Sequence, residues 1–290
     1  MTVARRYRIE HRTAYHYSDN VSASYGRGYL RPRELPWQDC QEYTLVIDPA
    51  PSDAAESTDV YGNVDSYFHV TSAHTDLVVT GVSVVQVRRP EFDQQAAARP
   101  WEDARVRPGD AEGVEFLLPS PYVQVTDGAR DYAALSFTPD RPALDALTDL
   151  VHRIHADFKY TSGATTVGTT VPKILAEREG VCQDFAHLVV ACARAHGVPA
   201  RYVSGYLATD PPPGRERMVG VDASHAWAAV RLPGGYWLAV DPTNDQLADE
   251  RYTTVAWGRD YGDVPPLRGV IFTDAQTSTM KVAVDVAPLT

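Results

Sequence analysis

The segment that most constrains the fold is an apolar stretch in the second half of the chain, residues 182–196, CQDFAHLVVACARAH. Its middle is apolar on nearly every side, as is typical of a helix that packs in a protein interior. Gly197 follows it as a typical glycine after a helix C-terminus, and Pro199 lies two residues beyond. The segment therefore predicts a central buried helix, and the remaining elements must pack around it.

The segments around this helix predict a mixed fold. Three strand-like segments follow it, at 201–208, 224–232 and 236–241, and the last two are joined by PGG, a hairpin signal. Apolar residues spaced 3, 4, 3 and 4 between Leu144 and Phe158 predict an amphipathic helix before it. We therefore expect an α+β core in which a buried helix packs on an antiparallel sheet.

The N-terminal part has a different pattern. YRIEHRTAY, from Tyr7, alternates charged with less polar residues, and 76–87 is rich in β-branched residues, so both segments predict strands. Residues 89–110 shift to Pro, Ala, Gln and charge, as in a linker or surface connection. The predicted organisation is an all-β domain at 1–90, a connecting segment at 91–140, and the core with C-terminal strands at 141–290.

Composition argues against several classes of partner and location. The formal net charge is −11, and an acidic chain without a Lys/Arg run repels phosphate backbones, so nucleic acid is not expected as a partner. No segment approaches the roughly 18 apolar residues of a membrane span. The N-terminus has no apolar stretch typical of a signal peptide. Three cysteines do not make a disulfide framework, and we expect a reduced, cytoplasmic protein.

Cys182 is the first candidate for chemistry, because it is predicted to lie in the first turn of the central helix. Unpaired N–H groups and the positive end of the helix dipole favour a thiolate at such a position. Gly180 just before it lets the backbone turn sharply. Free cysteines are nonetheless among the most buried residue types, so local features leave a packed residue and a nucleophile both open. Cys192, among Ala and Val in mid-helix, is interpreted as packing.

A second candidate is a zinc site, because Cys182, His187, Cys192 and His196 form a C-x4-H-x4-C-x3-H pattern. On a helix, Cys182 and His196 would lie about 21 Å apart along the axis. Zinc ligands must converge to about 2.3 Å or less from the metal. Helix geometry therefore argues against metal binding here, and no cofactor is expected.

A cysteine nucleophile needs a base, and the base needs an orienting group. Of the nine histidines, four lie in the β half, two on the polar side of a helix, and two on the helix of Cys182 itself. His225, at the start of a predicted strand, is left as the candidate base. Asp241 ends the next strand and shares a face with His225 only if the connecting loop has odd length. A loop of 232–234 would place the two directly opposite, and a loop of 233–235 would make them diagonal neighbours.

The sequence resembles the transglutaminase-like superfamily. The resemblance is carried by GVCQDFAHLVVACARAHGVPARYVSGY (180–206), SHAWAAV (224–230) and YWLAVDPTN (236–244). The segments 7–33 and 255–270 are similar to bacterial members. The resemblance implies a papain-like fold and a Cys-His-Asp triad in which Cys182, His225 and Asp241 occupy the three positions.

The resemblance also implies a reaction. The Cys182 thiolate, held as an ion pair with His225, would attack an amide carbonyl and form a thioester, which water or a second amine then resolves. The backbone N–H of Cys182 is a candidate oxyanion donor, with Tyr160 as a second. Gln183 is a further candidate for contacting the oxyanion or the substrate, and its default interpretation is a helix-face residue. Trp227 is interpreted as a core residue that is also a candidate for lining a substrate channel.

The candidate residues and the resemblance lead to three hypotheses about function. The leading expectation is a cysteine amide hydrolase or peptidase acting on a peptide or protein. The alternatives are a protein-glutamine transglutaminase and a non-catalytic binding or assembly module that retains the fold. The loop 210–222, just before the strand of His225, is a candidate for overhanging the cleft. The sequence predicts no membrane partner and does not indicate an oligomeric state.

Overall fold

The computed structural model describes residues 4–209 and 224–289. The N-terminal part is an antiparallel sheet with the strand order β2-β5-β1-β4-β3. Its strands are β1 (Arg5–Gly28), β2 (Gln38–Asp48), β3 (Asp53–Thr58), β4 (Val64–Val70) and β5 (His74–Val87). The alternation in β1 is realised as expected, because Tyr7, Ile9 and His11 are buried, whereas Arg8 is exposed and Glu10 is half-buried.

The two last strands of the chain also belong to this sheet. β13 (Arg268–Thr273) and β14 (Ser278–Leu289) both pair antiparallel with β1. The boundary drawn at 141–290 thus grouped these strands with the wrong sheet. The physical reason is that strand partners are selected by pairing in space, and β1 is long enough to pair with β5, β13 and β14.

The segment 91–140 is not a free connection but part of the core. It forms short helices that bury Trp101, Val123 and Ala129 against the rest of the protein. These are α1 (Gln94–Ala97), a 3-10 helix (Trp101–Ala104), α2 (Ala111–Glu115) and α3 (Asp127–Ala134). Helices of this length contain too few turns to show a hydrophobic period, and their polar caps resemble loop composition.

The second half contains the expected helix on an antiparallel sheet. Three helices, α4 (Ala143–Asp157), α5 (Val171–Glu177) and α6 (Cys182–Ala195), precede most of its strands. The sheet has the order β11-β10-β9-β8-β12. Its strands are β8 (Ala200–Leu207), β9 (Ser224–Arg231), β10 (Trp237–Asp241), β11 (Gln246–Leu247) and β12 (Tyr252–Gly258). A two-stranded parallel ladder, β6 (Lys159–Tyr160) with β7 (Glu179–Gly180), lies before α6.

Helix α6 is the centre of this half, as the sequence predicted. From Asp184 to Arg194 every side chain is buried, and only the first two residues and Ala195 are half-buried. Its apolar residues pack with Ala228 and Val230 of β9 in one cluster. The helix ends before Gly197, which adopts a φ of +79°. Partial exposure is therefore confined to the two ends of α6, and Cys182 lies at the N-terminal one.

Two further expectations concern membrane-spanning helices and the loop before β9. Within residues 4–209 and 224–289, no helix combines the length and apolar character needed to cross a bilayer. The proline-rich loop 210–222 lies outside the described residues, so its expected position over the cleft stays a prediction.

Candidate active site

Cys182 lies at the first position of α6, and its local structure explains why it is presented there. Val181 precedes it in an extended conformation, and the Asp184 carboxylate accepts the Val181 N–H at 2.8 Å. The hydroxyl of Thr165 donates to the same carboxylate at 2.6 Å. A Cβ on Gly180 would lie 2.9 Å from the Cβ of Asp184, so this close approach requires glycine. Cys182 itself is half-buried.

The register of the β9–β10 hairpin brings His225 and Asp241 together. Ala228 pairs with Val240 and Ala229 with Ala239, which leaves a loop of residues 233–235. The Leu232 N–H donates to the Tyr236 carbonyl at 2.7 Å and closes this loop. This is the odd-length loop that makes His225 and Asp241 diagonal neighbours on one face of the sheet. The glycines in the loop have φ values of 87° and 92°, which L side chains rarely adopt.

Asp241 is a fully buried carboxylate with five hydrogen-bond donors around it. Its Oδ2 lies 2.7 Å from His225 Nε2 and accepts from Asn244 Nδ2 and the Tyr252 hydroxyl, each also at 2.7 Å. Its Oδ1 accepts the backbone N–H groups of Thr243 and Asn244 at 2.8 and 3.3 Å. Burial raises the pKa of Asp241, but the hydrogen bonds and the charge of His225 outweigh it and lower the pKa overall.

The His225 ring is held between this carboxylate and the thiol of Cys182. Burial alone would lower the pKa of His225, but its hydrogen bonds with Asp241 and Cys182 and their charges raise the pKa to about 10. Because Nε2 is engaged by Asp241, Nδ1 is the nitrogen left for the thiol. The arrangement favours an imidazolium ring at neutral pH, which is the charge state that stabilises a neighbouring thiolate.

The other residues indicated by the sequence occupy different places. Tyr160 is 53% exposed, and burial of its hydroxyl together with the charge of Cys182 raises its pKa, which puts it near the thiol. Gln183 donates through Nε2 to the Val167 carbonyl at 3.2 Å. Trp227 is 1% exposed, and its ring stacks behind that of His225 with 6.1 Å between centroids.

Two residues around Asp241 were not predicted. Asn244 is three residues beyond Asp241 in the turn DPTN, and polar residues in such turns commonly bond back to an aspartate. That spacing was a usable signal for Asn244. Tyr252 comes from β12 across the sheet, and no local pattern connects it to Asp241.

The remaining cysteines and histidines of α6 are structural. Cys192 is fully buried, and burial raises the pKa of its thiol to about 12. His187 is also fully buried, accepts the Tyr261 N–H at 3.1 Å, and has its pKa lowered to about 3 chiefly by burial. Across residues 4–209 and 224–289, no three side chains of the metal-ligating types gather closely enough to hold an ion.

Comparisons with known proteins identify the family. The family profile described as the bacterial transglutaminase-like N-terminal region matches residues 7–86, and that of the transglutaminase-like superfamily matches 131–242. An uncharacterised protein of Mycobacterium tuberculosis strain H37Rv is 53% identical over 292 residues, covering 98% of this chain and 93% of that protein. An uncharacterised Mycobacterium leprae protein is 31% identical over 291 residues, covering 98% and 99% of the two chains.

Two further similarities concern the core. A protein-glutamine gamma-glutamyltransferase of Pseudomonas aeruginosa is 37% identical over 100 residues, which are 33% of this chain and 15% of that protein. The crystal structure of a candidate cysteine protease from Cytophaga hutchinsonii superposes with a TM-score of 0.78 at 24% identity, covering 98% and 91% of the two chains. That likeness establishes the papain-like fold. The chain belongs to the transglutaminase-like superfamily.

Proposed function

We propose that this protein is a cysteine-dependent amide hydrolase or peptidase that acts on a peptide or glutamine-type amide through a thioester. The observation that carries the proposal is the contact chain from Cys182 through the His225 ring to the buried carboxylate of Asp241. Nucleophile, base and orienting group are the three parts that covalent acyl transfer requires.

In the proposed reaction, the Cys182 sulfur attacks the amide carbonyl carbon and a tetrahedral oxyanion forms. The backbone N–H of Cys182, at the N-terminus of α6, supports this oxyanion because it is fixed before the reaction begins. Protonated His225 gives its proton to the amine nitrogen, the C–N bond breaks, and a thioester stays on Cys182. Water, deprotonated by His225, then attacks the thioester and releases the acid and the free thiol.

Tyr160 is proposed to line the entrance to the thiol, because its side chain is half exposed and the charge of Cys182 acts on its hydroxyl. The Gln183 side-chain amide donates to the Val167 carbonyl, so the side chain has to rotate before it can donate to an oxyanion. Trp227 is proposed to shield the His225–Asp241 hydrogen bond from water instead of contacting substrate, because it is almost fully buried.

Acyl transfer to an amine is the second candidate, and the similarity to a gamma-glutamyltransferase over 100 residues favours it. Both reactions share the thioester and differ only in what resolves it. Hydrolysis is preferred because Cys182 is half-buried at an accessible helix end, where water has access.

The two reactions are separated by their products. The protein is incubated with a glutamine-containing peptide, with and without an excess of a primary amine such as cadaverine. The products are identified by mass spectrometry. Hydrolysis gives cleaved or deamidated peptide whether or not the amine is present. If an amine adduct dominates the products, the proposed hydrolysis is wrong and the protein is an acyltransferase. Cys182→Ala is the control and should give neither product.

The non-catalytic alternative is tested on the thiol itself. Alkylation of Cys182 by iodoacetamide is followed across pH, with His225→Gln as the matched variant. The ion pair predicts that Cys182 is alkylated faster in the wild type than in His225→Gln, which lacks the imidazolium beside the sulfur. Ordinary thiol behaviour in both proteins would favour a binding module.

A further inference from the structure

A cavity lies on the face of the β8–β12 sheet that is turned away from α6. Alternate residues of β9 face opposite sides, so Ala228 and Val230 pack on α6 while Trp227 and Ala229 face the cavity. Its volume is about 350 Å³, within the range of small-molecule sites. The walls are aromatic with one buried cation, and the residues that define it are Trp37, Phe92, Arg201, Trp227, Trp237 and Trp257.

The buried cation is Arg201, on β8. It is only 6% exposed, and its guanidinium lies over the rings of Trp237 and Trp257, at 4.2 and 3.7 Å from their centroids. Its Nε has no hydrogen-bond partner in the part of the chain that the structure describes. Arg194, the other deeply buried arginine of this half, donates instead to the carbonyls of Ala200 and Arg259. Arg201 is thus held by aromatic faces, and its Nε–H has no acceptor in the described part of the chain.

The charges around Arg201 do not neutralise it. Arg33 lies over Trp257 at 3.5 Å and adds a second positive charge near the ring. Of the acids that line the cavity, Asp249 is bonded to Arg251 at 2.7 Å, and Glu91 lies exposed at the rim. Glu112 exerts a favourable charge effect on Arg201, but no ion pair joins the two. A buried guanidinium without a carboxylate is costly unless an anion completes it.

We propose that this cavity binds a small organic monocarboxylate with a flat apolar body. The carboxylate accepts hydrogen bonds from the Arg201 guanidinium, whose fork matches a carboxylate in geometry. The tryptophan walls pack against the apolar body, which they can do in a largely preformed site. Cys182 is not among the residues that line the cavity, and the proposal involves no step at its thiol, although Trp227 both lines the cavity and stacks on the His225 ring.

The test compares two probes that differ only in charge, 3-phenylpropionate and 3-phenylpropionamide. Binding to the full chain is followed by isothermal titration calorimetry and by tryptophan fluorescence, since four of the five tryptophans line the cavity. We expect the carboxylate to bind at least about tenfold more tightly than the amide, the ratio typical of one charge-assisted hydrogen bond.

The matched variants are Arg201→Gln and Cys182→Ala. Arg201→Gln should lower affinity for the carboxylate to that for the amide, and Cys182→Ala should bind both probes as the wild type does. Equal affinity of the wild type for the two probes, or no binding of the carboxylate at about 10 mM, overturns the proposal. If Arg201→Gln does not fold, the comparison of the two probes in the wild type still decides whether the cavity prefers a carboxylate. Loss of carboxylate binding in Cys182→Ala would assign the probe to the triad and also overturns it.

Discussion

The protonation of His225 depends on the carboxylate of Asp241 together with the thiol of Cys182. Asp241→Asn keeps the shape of the side chain but removes its charge, so the pKa of His225 should fall from about 10 toward its ordinary value. The reaction requires the charged ring, and activity is therefore lost as pH rises through the pKa of His225. We expect the alkaline limb of kcat/KM near pH 10 in the wild type and at lower pH in the variant.

The same variant should lose roughly 100-fold or more in kcat/KM at neutral pH, because an amide in place of the carboxylate no longer fixes the tautomer of the ring. The measurement is kcat/KM against pH for both proteins with one peptide substrate. If the two alkaline limbs coincide, Asp241 does not control the charge of His225.

Tyr252 is the positioning residue that the structure adds to the site. Tyr252→Phe removes the hydroxyl that donates to Asp241 at 2.7 Å, which should raise the pKa of Asp241 and move the acid limb of kcat/KM to higher pH. A hydrogen bond to a charged group contributes about 1.5 kcal/mol, so kcat should fall roughly tenfold while KM changes little.

The control is another buried tyrosine of the same sheet. Tyr206 interacts through its hydroxyl with His11 Nδ1 at 3.0 Å, and Tyr206→Phe should cost similar stability, about 1 kcal/mol, without changing the pH profile. Equal losses of activity in both variants would mean that Tyr252 acts only through folding.

At the residue scale, the predicted helix end indicated Cys182, elimination among the histidines left His225, and the hairpin register made Asp241 a conditional partner. The resemblance then assigned the three to one triad. The sequence did not locate Tyr252, whose contact with Asp241 depends on β12 crossing to the far edge of the sheet. Trp227 was assigned two readings, and its exposure of 1% favours packing.

Among the elements, the pairing of β8 with β9 and β12 depends on a glycine. Gly205 lies opposite His225, and a Cβ there would meet the Thr253 carbonyl oxygen at 2.1 Å and the Trp227 ring at 2.6 Å. Gly205→Ala should therefore displace both β12 and the Trp227 ring that stacks on His225. We expect a loss of about 1–3 kcal/mol in stability and a loss of activity larger than that destabilisation alone would cause.

Chemical denaturation and kcat/KM measured on the same preparations test this expectation. Gly168→Ala is the matched control, because a Cβ at Gly168 meets no atom within 4 Å. Equal stability of the two variants would show that the strands tolerate the added methyl group.

The accuracy of the sequence predictions follows the length and regularity of each element. The bounds of α6 and of β8, β9 and β10 agree with the sequence to within one residue, because each carries a clear apolar pattern and a turn or glycine at its end. The composition of 91–140 predicts a connection instead of the short helices found there, since four to eight residues do not show a helical period.

Across the whole molecule, the two ends of the chain meet in one sheet. β1 pairs with β14 from Arg6↔Leu289 to Tyr17↔Ser278, a pairing that no local pattern reports because it joins opposite ends of the sequence. One apolar cluster then joins residues of β1 and β14 to Ala186 of α6 and Tyr202 of β8. The N-terminal sheet and the helix of Cys182 therefore share a core.

This shared core predicts that the N-terminal sheet and the candidate active site unfold together. Val284 is 1% exposed and belongs to the shared cluster, whereas Val282, two residues earlier on the same strand, is 49% exposed. Val284→Ala should lower the free energy of unfolding by about 1–3 kcal/mol through the cavity it leaves, and Val282→Ala should change it by less than about 0.5 kcal/mol.

Thermal unfolding of each variant is followed by circular dichroism and by residual activity. Val284→Ala should lower both midpoints together, because loss of packing at β14 reaches α6 through side chains that touch both. Two separate transitions, with activity surviving the loss of the N-terminal sheet, would mean that the half carrying Cys182, His225 and Asp241 folds without β14. The control variant Val282→Ala, with unchanged midpoints, ties the effect to the burial of the side chain at position 284.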